Sequence, residues 1–147
     1  VVDIQFVPVE EWHIQHVADH MRAEDVAEVM ALGALTPRAA LDLSLSHHGD
    51  TWTATFDGEP VAIFGVIPVS ILSNAAIAWL LGTDLLVKHW RAFARVSISV
   101  LAEVHGRYPV LVNATHTENT LAIRWLRWLG AKVDIHGNEA RFLLCAT

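Results

Sequence analysis

The sequence predicts a mixed α/β sheet covered by helices on both faces, in one domain spanning residues 1–147. Three observations predict it. Apolar runs rich in β-branched residues come as a meander from about Thr51 to Val69. From Ala75 onward, strand-like runs alternate with amphipathic helical patterns. The stretch Val110 to Val133, VLVNATHTENTLAIRWLRWLGAKV, then reads as a complete strand–helix–strand unit. A length of 147 residues makes a single domain the default.

Taken in order, Asp3 to Val9 is the first strand, with Ile4, Phe6 and Pro8 alternating against Gln5, Val7 and Val9, and Pro8 marking its end or an edge. A helix starts at Glu10 with acids in its first turn, placing Ile14, Val17 and Met21 on one face. Ala23 to Leu32 continues helically and stops at Gly33. Thr36-Pro37 reads as an N-cap followed by proline at the first helical position, opening a helix to about His47 with Leu41, Leu43 and Leu45 as its apolar residues. Thr51 to Phe56 is a strand, Asp57-Gly58 a hairpin turn, and Pro60 to about Val69 the return strand. Ala75 to Leu81 is the next strand. Asp84 to Val104 is the longest helix, with Leu86, Trp90, Phe93, Ser97, Val100 and Val104 inward and Lys88, Arg91, Arg95 and Glu103 outward.

The strand from Tyr108 to Val112 is followed by a polar break, Asn113 to Glu118, and then by a compact helix. Leu121, Ala122, Trp125, Leu126 and Leu129 form the inner face of that helix, and Arg124 and Arg127 lie opposite, where cations suit the end of a helix dipole. Asn119 or Thr117 can cap its start, and Gly130 fits the left-handed position past its end. Lys132 to Ile135 and Arg141 to Cys145 close the chain as a hairpin around His136-Gly137-Asn138.

Composition excludes several classes. A formal charge of −6 argues against nonspecific nucleic-acid binding, which needs a basic surface. The single cysteine, Cys145, excludes an internal disulfide framework, and its apolar strand predicts a buried, inert thiol. The run between Glu59 and Asp84 carries no charge and would pass a hydropathy window. Pro68, the Ser73-Asn74 turn and the β-branched content make it two buried strands instead of a membrane span. The first residues, VVDIQFVPVEEW, have no basic region of the kind that begins a secretion signal. His13, His16 and His20 share one helix face, but no zinc-type spacing and no cysteine ligands accompany them. A polar helix face used as an interface is the expectation there, with no metal.

Asn119, Ala122-Ile123, Trp125 and Leu129-Gly130 resemble the closing motif of the Gcn5-related N-acetyltransferase (GNAT) fold. In that family an Asn opens the helix, Ala and Ile follow three and four positions on, and Leu-Gly-Phe closes it; here Ala131 replaces the Phe. Phe56-Asp57-Gly58-Glu59-Pro60-Val61-Ala62 resembles the turn that often joins the family's second and third strands. The wording Ile123 to Gly130, IRWLRWLG, is similar to one branch, the small GNAT-like internal virion or morphogenesis proteins of T7-like bacteriophages. The resemblance runs from about Thr51 to the C-terminus.

It implies an acetyl-CoA site on a Gly-rich turn, where backbone amides at a helix start hold a pyrophosphate. The matching segment is Leu81-Gly82-Thr83-Asp84-Leu85-Leu86-Val87-Lys88, with one glycine and a carboxylate. Leu81, Gly82, Thr83, Lys88 and Asn119 are the implied cofactor contacts, but Thr83 or Asp84 reads better as an ordinary helix cap. Lys88, His89 and Arg91 could attract a phosphate by charge. The tyrosine that commonly serves the family as acid is replaced by Leu126, and the one tyrosine, Tyr108, lies elsewhere. His116 and Glu118 are the local candidates for proton transfer. Two functions follow. One is a GNAT-fold bacteriophage protein without catalysis or cofactor, a virion assembly or virion-associated protein with virion or host proteins as partners, in the virion or host cytoplasm. The other is an active acetyl-CoA-dependent N-acetyltransferase acting on an amine.

Overall fold

The computed structural model describes residues 1–147. The strands hydrogen-bond in the order β1-β2-β3-β4-β5-β7-β6, a seven-stranded mixed sheet. The chain divides into two compact units, Val1–Val66 with Trp79–Phe93, and Ile67–Ala78 with Ala94–Thr147.

The first unit opens with β1 (Ile4–Val7), which ends before Pro8, and three helices, α1 (Glu11–Asp19), α2 (Ala23–Ala31) and α3 (Pro37–Ser46). β2 (Thr51–Phe56) pairs antiparallel with β1 and with β3 (Glu59–Pro68). The hairpin between them turns at Asp57 and Gly58, with φ of 50° and 85°, the two left-handed residues that a type I′ turn requires. Thr36 caps α3 as the Thr-Pro pair predicts, its hydroxyl accepting from the Ala39 amide at 3.0 Å. The core gathers Val17 from α1, Val29 from α2, Ala40 and Leu41 from α3, Ile63 from β3 and Leu81 from β4 (Ala75–Gly82). Both halves of the uncharged run are therefore sheet, and no helix is long and apolar enough to cross a membrane.

On α3, Leu43 is 63% exposed while Leu41 is fully buried, because a two-residue step moves halfway round a helix. One expectation fails after β4. The helix read from Asp84 onward is two, α4 (Asp84–Lys88) and α5 (Trp90–His105). His89 leaves helical geometry between them, its ring edge-on to Phe56 at 5.9 Å. No glycine or proline marks that break.

In the second unit β4 runs parallel to β5 (Val110–His116), Ala75 to Ile77 facing Val110 to Val112. β7 (Glu139–Cys145) pairs antiparallel with β5 over its whole length and with the edge strand β6 (Lys132–His136). Thus Asn113 to His116 is strand, where the sequence reads as a break. Backbone pairing from Asn113↔Phe142 to His116↔Glu139 holds these residues whatever their polarity. Helix α6 (Thr120–Trp128) buries Ile123 and Leu126, and the half-buried Trp125 reaches toward Ser97 of α5, Nε1 to Oγ 3.4 Å. Gly130, at φ +98°, closes α6 in a Schellman motif: its amide donates to Arg127 O and the Ala131 amide to Leu126 O, both at 3.0 Å. Cys145 is exposed, not buried. Strand alternation turns Ala140 and Leu144 inward and sends Arg141, Leu143 and Cys145 out, which the unbroken apolar lettering of Phe142 to Cys145 conceals.

Candidate functional site

The predicted site residues fall into two groups, one in each unit. In the first unit β4 ends at Gly82. The Gly82 amide donates to Asp25 Oδ2 at 2.8 Å, and its carbonyl accepts from the Arg22 amide at 2.9 Å. Asp25 and Arg22 are 3% and 6% exposed and face each other, Oδ1 to Nη1, at 3.7 Å. Arg22 Nε also donates to Glu24 Oε2 at 3.1 Å. Burial pushes the Asp25 carboxyl up to about 6, against the pull of Arg22 and of the Gly82 amide. Nothing in the sequence links Asp25 to a glycine 57 positions on, so this anchor was not legible beforehand.

Thr83 is equally committed. Its amide and hydroxyl both donate to Val61 O, at 2.9 and 3.1 Å. The hydroxyl is therefore not a cap for α4, contrary to expectation, although the Thr83 backbone occupies the cap position. Leu86 folds back over Gly82: a Cβ placed on Gly82 would lie 2.7 Å from Leu86 Cδ2. This glycine makes room for a leucine instead of a phosphate. Leu81 is buried in the core. Lys88 and Arg91 are exposed, and the Arg91 guanidinium lies 5.7 Å above the Trp90 ring.

In the second unit the parallel pairing of β4 and β5 stops after Ile77 and Val112. Asn113 replaces the next ladder bond, its Nδ2 donating to Ala78 O at 2.7 Å while its Oδ1 accepts from the Ala114 amide at 2.8 Å. The sequence shows only a polar residue at the end of an apolar run. His116 and Asn119 come together in the β5–α6 turn. His116 Nδ1 accepts from the Glu118 amide at 3.1 Å, and the Asn119 amide donates to His116 O at 2.9 Å. Asn119 is 4% exposed and sits at the α6 cap position, but its Nδ2 turns back to Thr115 Oγ1 at 3.2 Å and its side chain does not cap. Glu118 is exposed. Leu126, which the resemblance sets in place of a tyrosine, is 8% exposed.

His13 and His16 of α1 and His20 just past its end do not form one polar face. His13 is 2% exposed, and its Nδ1 accepts from the Glu10 amide at 3.0 Å, which leaves the ring proton on Nε2. Burial lowers its pKa, outweighing Glu10. His16 and His20 stack at 4.4 Å, and no cluster of three or more metal-ligating side chains exists.

The cradle residues do not fit a diphosphate. The Gly82 and Thr83 amides are spent within the protein, Leu86 covers the one glycine, and Asp84 adds a carboxylate.

No family model and no curated protein sequence matches the chain. Solved structures do. The ribosomal-protein-S18-alanine N-acetyltransferase from Escherichia coli superposes with a TM-score of 0.66 at 12% identity, covering 96% of this chain and 91% of that one. A GCN5-related N-acetyltransferase from Brucella melitensis gives 0.67 at 14% identity over 97% and 75%. The PaiA N-acetyltransferase from Thermoplasma acidophilum, in complex with coenzyme A, gives 0.65 at 10% identity over 98% and 99%. Identities this low speak for the fold alone. The chain has the GNAT acyltransferase fold.

Proposed function

We propose that this chain is a non-catalytic GNAT-fold protein of bacteriophage origin, acting in virion assembly or in association with the virion, with virion or host proteins as partners. The observation that carries the non-catalytic part is the closed turn after β4: Asp25 holds the Gly82 amide, Val61 holds that of Thr83, and Leu86 lies on Gly82. The phage assignment is supported by the IRWLRWLG wording of α6. Leu126 in place of a tyrosine fits the same reading, since a buried aliphatic side chain transfers no proton.

One observation favours the second reading, an active acetyl-CoA-dependent N-acetyltransferase. Thr83 leaves the start of α4 without a side-chain cap, and Lys88 and Arg91 stand exposed where α4 meets α5. That reading needs the amides from Thr83 to Val87 for the cofactor and His116 or Glu118 for the proton.

The test has two arms. Purified chain is incubated with acetyl-CoA and a panel of primary amines and amino-terminal peptides, and free thiol is followed. The expected rate is that of acetyl-CoA alone; amine-dependent thiol release would overturn the non-catalytic reading. Mass spectrometry of purified particles from a phage encoding the chain is expected to find it at a fixed copy number. Its absence from both particles and assembly intermediates would overturn the virion reading.

A further inference from the structure

Each unit carries one apolar surface that the candidate site does not use. One is a groove of about 260 Å³ in the second unit, lined by Ile98, Leu101, Trp128, Leu129 and Leu144. Ile98 and Trp128 are half exposed there, at 50% and 52%. The other is the turn between α2 and α3 in the first unit, where Leu32 and Leu35 are 88% and 85% exposed and Met30 is 47% exposed. That turn has a fixed shape. Gly33 takes φ +97°, its amide donates to Met30 O at 3.1 Å, and the Ala34 amide donates to Val29 O at 3.0 Å. A turn held in this way presents its leucines with little further ordering.

Charge divides along the same line. The first unit carries twelve acidic and four basic residues, a net −8, and the second four acidic and six basic, a net +2. Around the groove, Arg95 stands one turn before Ile98, and Arg124 one turn before Trp128 with Arg127 beside it. All three are exposed, and none joins the ion pairs made by Arg22, Arg38 and Arg141. Around the turn, Glu28 stands one turn before Leu32, and Glu24, one turn before that, is exposed and paired with Arg22.

We propose that a second copy of this chain docks head to tail, the Met30–Leu35 turn of one copy seated in the groove of the next. Apolar side chains fill the groove, and the net negative first unit of one copy meets the arginine rim on the net positive second unit of the next. The contact is heterologous, so each pair leaves one turn and one groove free, and growth continues to a ring or a filament. It stands on exposure and charge, and holds for either functional reading. The uncharged tip at Ile71 and Leu72, 99% and 94% exposed, is the competing apolar feature, but it brings no acid to the rim.

Sedimentation velocity of the 147-residue chain over a concentration series tests this, with two surface variants. The wild type is expected to form species larger than a dimer that dissociate as salt rises from about 0.05 to 0.5 M. Leu35→Asp and Trp128→Asp are each expected to weaken association by roughly tenfold or more while keeping the wild-type circular dichroism. An equimolar mixture of the two is expected to give a dimer and nothing larger, because one supplies the groove and the other the turn. A monomeric wild type would overturn the proposal. So would Trp128→Asp associating normally while Leu35→Asp does not, which is a turn-to-turn contact, or loss of association only in Ile71→Ser/Leu72→Ser. If either variant loses the wild-type spectrum, Leu32→Ser and Arg124→Glu replace it, with the same outcomes required.

Discussion

Asp25→Asn probes the closed turn directly. The carboxylate is buried and accepts from the Gly82 amide, and its pKa rises from 3.8 to about 6. A raised carboxyl pKa means that the native state holds the proton more tightly than the unfolded chain does. Stability is then highest below pH 3.8 and falls as pH rises toward 6, above which the loss is complete. The full effect is on the order of 3 kcal/mol, at about 1.4 kcal/mol per pKa unit. Between pH 4.5 and 7.5 the portion traversed is about 2 kcal/mol. Asparagine keeps an oxygen for the Gly82 amide but does not titrate. Urea unfolding of both proteins at the two pH values isolates the Asp25 site, because titrations away from its charged neighbours Arg22, Glu24 and Glu28 are common to both. Relative to the wild type, Asp25→Asn should gain about 2 kcal/mol between pH 4.5 and 7.5, whichever protein is more stable at the start. A stability difference that does not move with pH would mean that Asp25 ionises as an ordinary surface carboxylate, and the anchoring of Gly82 by a buried acid would be refuted.

Three further perturbations test the frame around the site. Gly130→Val forces a β-branched residue to φ +98° and should lower stability by at least about 1–2 kcal/mol; an unchanged melting temperature would contradict the left-handed close of α6. Trp125→Ala removes a half-buried indole between α6 and Ser97, so the loss should be about 2–3 kcal/mol, below that of a fully buried tryptophan; a loss under about 1 kcal/mol would show that the indole packs little. His13 should keep its proton on Nε2 and titrate below its ordinary value of 6.5 in a nitrogen-detected NMR titration. Its contribution to stability is complete above that value and is lost as pH falls through the lowered pKa, and a protonated Nδ1 at neutral pH would contradict the structure.

The sequence made the fold readable wherever one local signal decided the outcome. Thr36-Pro37, Asp57-Gly58 and Leu129-Gly130 each specify a cap or turn through their own backbone preferences, and each lies where those preferences put it. Signals that depend on a distant partner were not readable. Asn113 to His116 became strand because β7 pairs with it, and the alternation exposing Cys145 is set by its place in the sheet. His13 turned inward to its own cap amide, which helix periodicity alone does not reveal. The candidate site divides in the same way. The single glycine of Leu81 to Lys88 and the leucine at position 126 are visible as letters. That Gly82 serves Leu86, and that Asp25 takes its amide, depends on side chains meeting across the fold.

The central claim is that the turn after β4 is closed to a diphosphate. Isothermal titration of acetyl-CoA into the chain at low ionic strength, with desulfo-CoA as a second ligand, tests it most directly. The structure predicts no saturable heat for either ligand at concentrations up to about 1 mM, where even weak specific sites of about 4 kcal/mol would begin to fill. Saturable one-to-one binding in the micromolar range, lost on Lys88→Ala/Arg91→Ala, would contradict it.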